Sequence, residues 1–213
     1  MNRNLTLIIL TFTTFLQTYT NAAPVPWPVS SGGNGHFYEA VRVPSGIKWT
    51  DAKLTAEAAG GQLATIASAA ENAFVFSLID DPLFWNSYSG PWLGGTQPPG
   101  SPEPAGNWQW LTGEPFSYTN WSVGQPNNTG EINNEDSLHF WRLSLSVHSS
   151  YWNDIAGGSV SYRPVGYVVE IIPEPDTLIL ASLVLFEFVT GAGIVYRGVV
   201  RGSRFRTGLP TPA

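Results

Sequence analysis

The sequence has no cysteine and a single methionine. The lack of cysteine excludes disulfide staples, thiolate catalysis and cysteine-based metal sites together. Charge is also sparse: charged residues make up 12% of the chain, ten basic against sixteen acidic. Between Pro24 and Asp176 the imbalance sharpens to five basic residues (Arg42, Lys48, Lys53, Arg142, Arg163) and fifteen acidic ones. A segment so short of lysine and arginine lacks the basic patch that nucleic acid requires, and suits cations better. The three histidines, His36, His139 and His148, show no metal-ligand spacing. Each reads as a surface or strand residue, and His139 is expected to take no part in ligand binding. With no cysteine nucleophile and no histidine spacing for a metal, the chain reads as a non-enzyme. What is plentiful is aromatic surface: nine tryptophans and eleven phenylalanines supply a core without disulfides.

Long apolar runs stand at the two ends. Arg3 precedes the apolar stretch Leu5 to Leu16 and then Thr20-Asn21-Ala22-Ala23. That is the pattern of a secretory signal peptide over residues 1–23. At the other end Pro173-Glu174-Pro175 precedes an apolar run, Leu178 to Tyr196, followed by Arg197, Arg201, Arg204 and Arg206. A run of about 20 apolar residues is long enough to span a bilayer, and arginines hold such a helix on the cytoplasmic side. Glu187 interrupts the span at a cost. Together the ends resemble the Pro-Glu-Pro C-terminal sorting (PEP-CTERM) family of exported bacterial proteins. The resemblance implies a sorting signal over 173–206 with a transmembrane helix over 177–196, and a short tail over 207–213. It also implies a membrane enzyme of exosortase type that cuts near Pro173. The arginines here are spread rather than clustered, so a retained membrane anchor and a processed, released protein are both open.

The middle is one domain's worth of chain, preceded by a Pro/Gly/Ser linker over 24–34. His36 to Val43 reads as a strand. Thr50 is placed to cap a helix from Asp51 to Ala59, stopped by Gly60-Gly61. Gln62 to Ile66 reads as a short strand. Ser68 with Glu71 makes a capping box for a second helix that stops before Pro82. Pro91 to Gly95, Trp108 to Leu111, Leu138 to Leu143 and Gly166 to Ile172 read as strands, with a long Gly/Pro/Asn-rich loop from Gly95 to Asn134. This order gives an α+β domain. A loop of that length inside a compact domain carries function or is tied down by a ligand.

Residues 35–172 resemble a C-type lectin-like domain. The resemblance rests on an ordered set that includes Gly60-Gly61-Gln62-Leu63-Ala64-Thr65-Ile66, Trp92-Leu93-Gly94-Gly95, Trp108-Gln109-Trp110, Thr119-Asn120-Trp121, Gln125-Pro126-Asn127, Asn134-Glu135-Asp136, Trp152-Asn153-Asp154 and Gly166-Tyr167-Val168-Val169-Glu170. It implies two helices packed on antiparallel strands, with a long loop that binds calcium and sugar. Ala56 and Val169 stand where the family carries cysteines.

The loop chemistry is consistent with calcium, which takes about six to eight oxygen ligands from carboxylates, amides, carbonyls and water. Gln125 and Asn127 offer amide oxygens on either side of Pro126, whose peptide bond can be cis. Glu135 and Asp154 offer charge, and Asn153 a further amide. These five are where the resemblance places a calcium that also holds sugar hydroxyls. Relatives that favour mannose-type sugars carry Glu-Pro-Asn, and those that favour galactose carry Gln-Pro-Asp. Gln125-Pro126-Asn127 mixes the two with one formal charge fewer, which implies weaker calcium binding. Asp136, Asn128 and Glu103 are candidates for an accessory calcium. The expected function is calcium-dependent binding of carbohydrate or exopolysaccharide, or adhesion, at the bacterial cell surface or in the extracellular matrix. A protein–protein interaction or structural module without sugar binding is the alternative.

Overall fold

The computed structural model describes residues 20–21, 23–87, 89–129, 134–158 and 163–173. The chain divides into two units after Pro173, and every described residue lies in the first. The expected leader, apart from Thr20, Asn21 and Ala23, and the expected sorting signal beyond Pro173 with its membrane helix lie outside the described residues. Among the described residues no helix is long and apolar enough to cross a membrane.

In chain order the strands are β1 Thr20–Asn21, β2 Val25–Pro26, β3 Phe37–Arg42, β4 Gln62–Leu63, β5 Ser89–Thr96, β6 Gln109–Trp110, β7 Ser137–Ser144, β8 Val147–Ile155 and β9 Gly166–Ile171. The helices are α1 Trp49–Ala58 and α2 Ala69–Ser77. The sheet runs β1-β3-β9-β5-β7-β8, with β2 on β3, β4 on β9 and β6 on β5. The sheet is mixed rather than antiparallel throughout, because β5 meets β9 in parallel at Trp92↔Tyr167. The long connection between those strands holds the β7–β8 hairpin and returns the chain in its original direction, as parallel pairing requires.

Side chains alternate across a strand, and this sheet buries both faces. On one side Tyr38, Ala40, Leu93, Leu138, Phe140 and Val168 pack with Val75 and Ile79 from the α2 end of the chain. On the other Val41, Trp92, Tyr167 and Val169 pack with Trp49, Ala52 and Ala56 of α1. Ala56 and Val169 are thus both buried in one apolar cluster.

The helix ends show what local chemistry decides. Ser68 caps α2, its Oγ accepting from the Glu71 N–H at 3.1 Å. Glu71 does not reach back to Ser68; its carboxylate accepts from the Ala67 N–H at 2.7 Å. At the end of α1, Gly60 has φ +83°, and the Gly60 and Gly61 N–H groups return to Glu57 and Ala56. That is a Schellman stop. At the start of α1 the sequence reading needs correction. Lys48, not Thr50, is the cap residue, and Thr50 lies inside the helix. The Trp49 N–H is bound to the Gly157 carbonyl at 3.0 Å and its indole N–H to the Leu93 carbonyl at 2.9 Å. Those two bonds draw Trp49 into the first turn.

Three further expectations change. Residues 24–34 are not a free linker: Val25–Pro26 pair with β3, and Trp27 is buried, stacked on Phe74 at 5.4 Å. The strand expected over Gln62 to Ile66 is only Gln62–Leu63, because the Thr65 N–H is taken by the Glu170 carboxylate at 2.9 Å. Finally, β8 had no sequence signal as a strand. His148, Ser149 and Ser150 are polar, and Asn153-Asp154 read as loop.

A polar knot fastens α2 to the sheet. The Tyr38 hydroxyl contacts Glu71 at 2.5 Å and Glu170 at 3.1 Å, Asn34 donates to both Tyr38 and Glu71, and His36 meets Glu170 at 2.6 Å. Burial raises the Glu170 carboxyl above its ordinary value, opposed by the bonds from Thr65 and His36.

Candidate functional site

The site stands on an aromatic platform. Trp152 on β8 is fully buried, with Tyr118 at 5.5 Å, Trp110 at 5.6 Å, Trp121 at 5.9 Å and Phe116 at 6.3 Å between ring centres. Its indole N–H donates to the Asn72 side chain of α2 at 2.8 Å. The long loop is seated on this platform and strapped to β8 by backbone bonds. The Trp152 N–H goes to Asn120, the Ser122 N–H to Trp152, and the Gln125 N–H to Ser122. Burying the aromatics therefore fixes where residues 120–127 run, next to the end of β8 that carries Asn153 and Asp154.

The Gln125–Pro126 peptide is cis. Beyond it the chain turns over Asp154, whose buried carboxylate accepts from the Asn127 N–H at 3.0 and 3.1 Å and the Asn128 N–H at 2.9 Å. Burial raises the Asp154 carboxyl, while these backbone donors pull it down. Glu135, also buried, accepts from the Thr129 N–H at 3.0 Å, and its own N–H donates to the Asn128 side chain at 2.9 Å. Asn127, Glu135 and Asp154 are thus gathered by one short stretch of loop. Asn153 lies next to Asp154 on β8, and Gln125 two residues before Asn127.

The amide oxygens differ among themselves. Asn127 Oδ1 is engaged by the Thr129 N–H at 3.0 Å and hydroxyl at 2.7 Å. Gln125 Oε1 and Asn153 Oδ1 are buried and have no hydrogen-bond partner. A buried acceptor left unpaired costs about 1–3 kcal/mol. With the two buried carboxylates of the same loop and strand, these two amide oxygens make up an all-oxygen set of donor types, the kind that suits a hard cation such as calcium. Among the described residues no group of three or more histidine, aspartate or glutamate side chains is arranged for a metal. The set here is two carboxylates and three amides. The accessory candidates have these surroundings. Asp136 holds Ser137 and Asn134, Asn128 holds Glu135, and Glu103 is exposed.

His139 lies on a strand, one of the two places the sequence reading gave it. It is fully buried on β7, paired across the ladder with Asn153, its Nε2 3.1 Å from Asn153 Nδ2. Burial pushes its pKa down to about 3, with backbone groups of Phe140 and Gly90 pulling the other way. No spacing in the sequence marks it. Only the β7–β8 register, which depends on the unrecognised strand β8, brings the two side chains together.

The chain belongs to the C-type lectin domain family, whose pattern matches residues 45–162. It is 35% identical over 113 residues to the perlucin-like protein of Mytilus galloprovincialis, covering 53% of this chain and 64% of that one. It is 32% identical over 108 residues to the C-type lectin mannose-binding isoform of Oxyuranus scutellatus, covering 50% and 61%. The chain therefore spans under two thirds of the length of these curated relatives. Among solved structures the carbohydrate-recognition domain of cow CD23, crystallised in the presence of GlcNAc2Man3 oligosaccharide, superposes with a TM-score of 0.50 at 23% identity, over 65% of this chain and 89% of that one.

Proposed function

We propose that this protein binds carbohydrate through calcium held by Gln125, Asn127, Glu135, Asn153 and Asp154. The observation that carries the reading is the pair of buried, unpartnered amide oxygens of Gln125 and Asn153 on the loop and strand that also carry the buried Asp154 and Glu135 carboxylates. When bound, the ion would supply positive charge and open coordination positions for vicinal sugar hydroxyls. The chain's own work is placement. Backbone N–H groups of Asn127 and Asn128 hold Asp154, Thr129 holds Glu135, and the aromatic platform excludes water beneath them. A mannose-binding relative carries the same domain, which supports sugar as the ligand class.

Calcium is expected to raise the melting temperature of the full chain, because a ligand seen by the native state alone stabilises it by about 2.7 kcal/mol at a hundredfold excess over Kd. On a glycan array, binding should appear with calcium and vanish with chelator. A melting curve that ignores both calcium and chelator would refute the metal reading.

We also place the protein outside the cytoplasm, in the cell envelope or matrix of a bacterium. The support is the sequence of its ends, a leader over 1–23 and the ordered Pro-Glu-Pro, apolar run and arginines after 173. Protein recovered from its own cells should lack the leader by mass spectrometry. It should then end near Pro173 if an exosortase-type enzyme acts, or keep a membrane-inserted tail if none does. Full-length chain found soluble in the cytoplasm would defeat both versions.

A further inference from the structure

Asparagine has two faces that are nearly identical in shape and opposite in chemistry. Which one a site sees is decided by what its nitrogen binds. For Asn153 that is settled by a group with no alternative role. Its Nδ2 lies 2.5 Å from the Asp154 backbone oxygen, which can only accept. The atom there must be the nitrogen. Its second hydrogen points at His139 Nε2, 3.1 Å away. That ring atom must therefore accept, which leaves the single proton of the neutral ring on Nδ1, itself buried and without a hydrogen-bond partner. The ring itself is locked, fully buried and edge-on to Trp92 at 5.7 Å, with Trp141 at 6.1 Å. With both amide hydrogens used, Oδ1 is turned the other way, buried and without a partner.

We propose that His139 is a positioning residue for the cation site: as a neutral acceptor locked between β5, β7 and β8, it fixes the Asn153 amide so that Oδ1, not Nδ2, faces the ligand. This rests on the calcium reading above and extends it to a side chain that touches neither ion nor sugar. Partners of this kind typically change metal affinity by about 10–100-fold.

The test uses the full chain and calcium alone. His139→Phe keeps a buried ring and removes the acceptor. His139→Gln keeps an acceptor oxygen. Isothermal titration should show calcium binding weakened by about 10-fold in His139→Phe, and recovered to within about threefold in His139→Gln, since an amide oxygen accepts as the imidazole nitrogen does. In an Asn153→Ala background His139→Phe should add nothing further. Unchanged affinity in His139→Phe overturns the proposal. So does a loss that Gln does not rescue and that persists in Asn153→Ala, which would mark a packing role. Nitrogen-15 NMR of the wild-type protein needs no variant to fold. The Nδ1–H tautomer is expected, and an Nε2–H tautomer or an imidazolium overturns the proposal by itself. If wild-type protein binds no calcium, the calcium reading falls and the positioning role falls with it. Calcium binding with the wrong tautomer sinks the positioning role alone.

Discussion

Asp154→Ala is expected to lose calcium and sugar binding together, by more than the roughly 10–100-fold typical of an outer partner. The substitution removes one of two carboxylates from a site whose other members are neutral, so the ion loses charge as well as a ligand. It also frees the Asn127 and Asn128 N–H groups that hold the loop over β8. The effect on the ion-free protein is smaller, because two contributions oppose each other. A fully buried carboxylate whose pKa burial has raised is relieved, while backbone donors are orphaned at about 1–3 kcal/mol. Melting curves with chelator should therefore differ modestly between wild type and variant, and curves with calcium should differ widely. Sugar binding that survives in Asp154→Ala would place the site elsewhere on the domain.

Trp152→Ala is expected to cost about 3–5 kcal/mol, the usual loss for deleting a fully buried large aromatic. A domain holds only about 5–15 kcal/mol in all, so this variant stands near the unfolding threshold. Four aromatic rings lose their common partner, and Asn72 Oδ1 loses the donor it receives at 2.8 Å. Trp152→Phe keeps most of the ring contact and loses that hydrogen bond, for about 1 kcal/mol. Urea unfolding of the two variants measures the difference. An alanine variant as stable as wild type would mean that the long loop is not seated on this residue.

Local signals were legible wherever a residue's chemistry acts within a few positions of itself. Ser68 caps α2, and Gly60 ends α1 in the left-handed conformation that the Gly60-Gly61 pair suggested. The buried strand around Trp92 follows from an apolar run. What escaped the sequence depends on distant partners. Trp27 sits in a Pro/Gly/Ser stretch, and Tyr38 and Phe74, farther along the chain, make it core. Lys48 replaces Thr50 as the cap because Gly157 and Leu93 claim Trp49. Strand β8 is polar along much of its length, and its last residues are buried by partners distant in sequence, Trp152 against α2 and the loop, Asn153 against β7 and Ile155 in the cluster with α1. The ordered motifs pointed to Asn127, Glu135 and Asp154 together, and the loop does gather them. The same motifs were silent on His139, whose pairing with Asn153 exists only once β7 and β8 are in register.

The pairing of β3 with β9 sets Phe37 opposite Ile171. Thr20, where the described part of the domain starts, stands opposite Arg42 at the other end of the same strand. Five residues of extended chain separate the two ends of β3, a rise of about 17 Å. A host scaffold that takes this domain as an insert therefore needs two attachment points set that far apart, as at the two ends of one of its own strands, and not the adjacent ends of a tight turn.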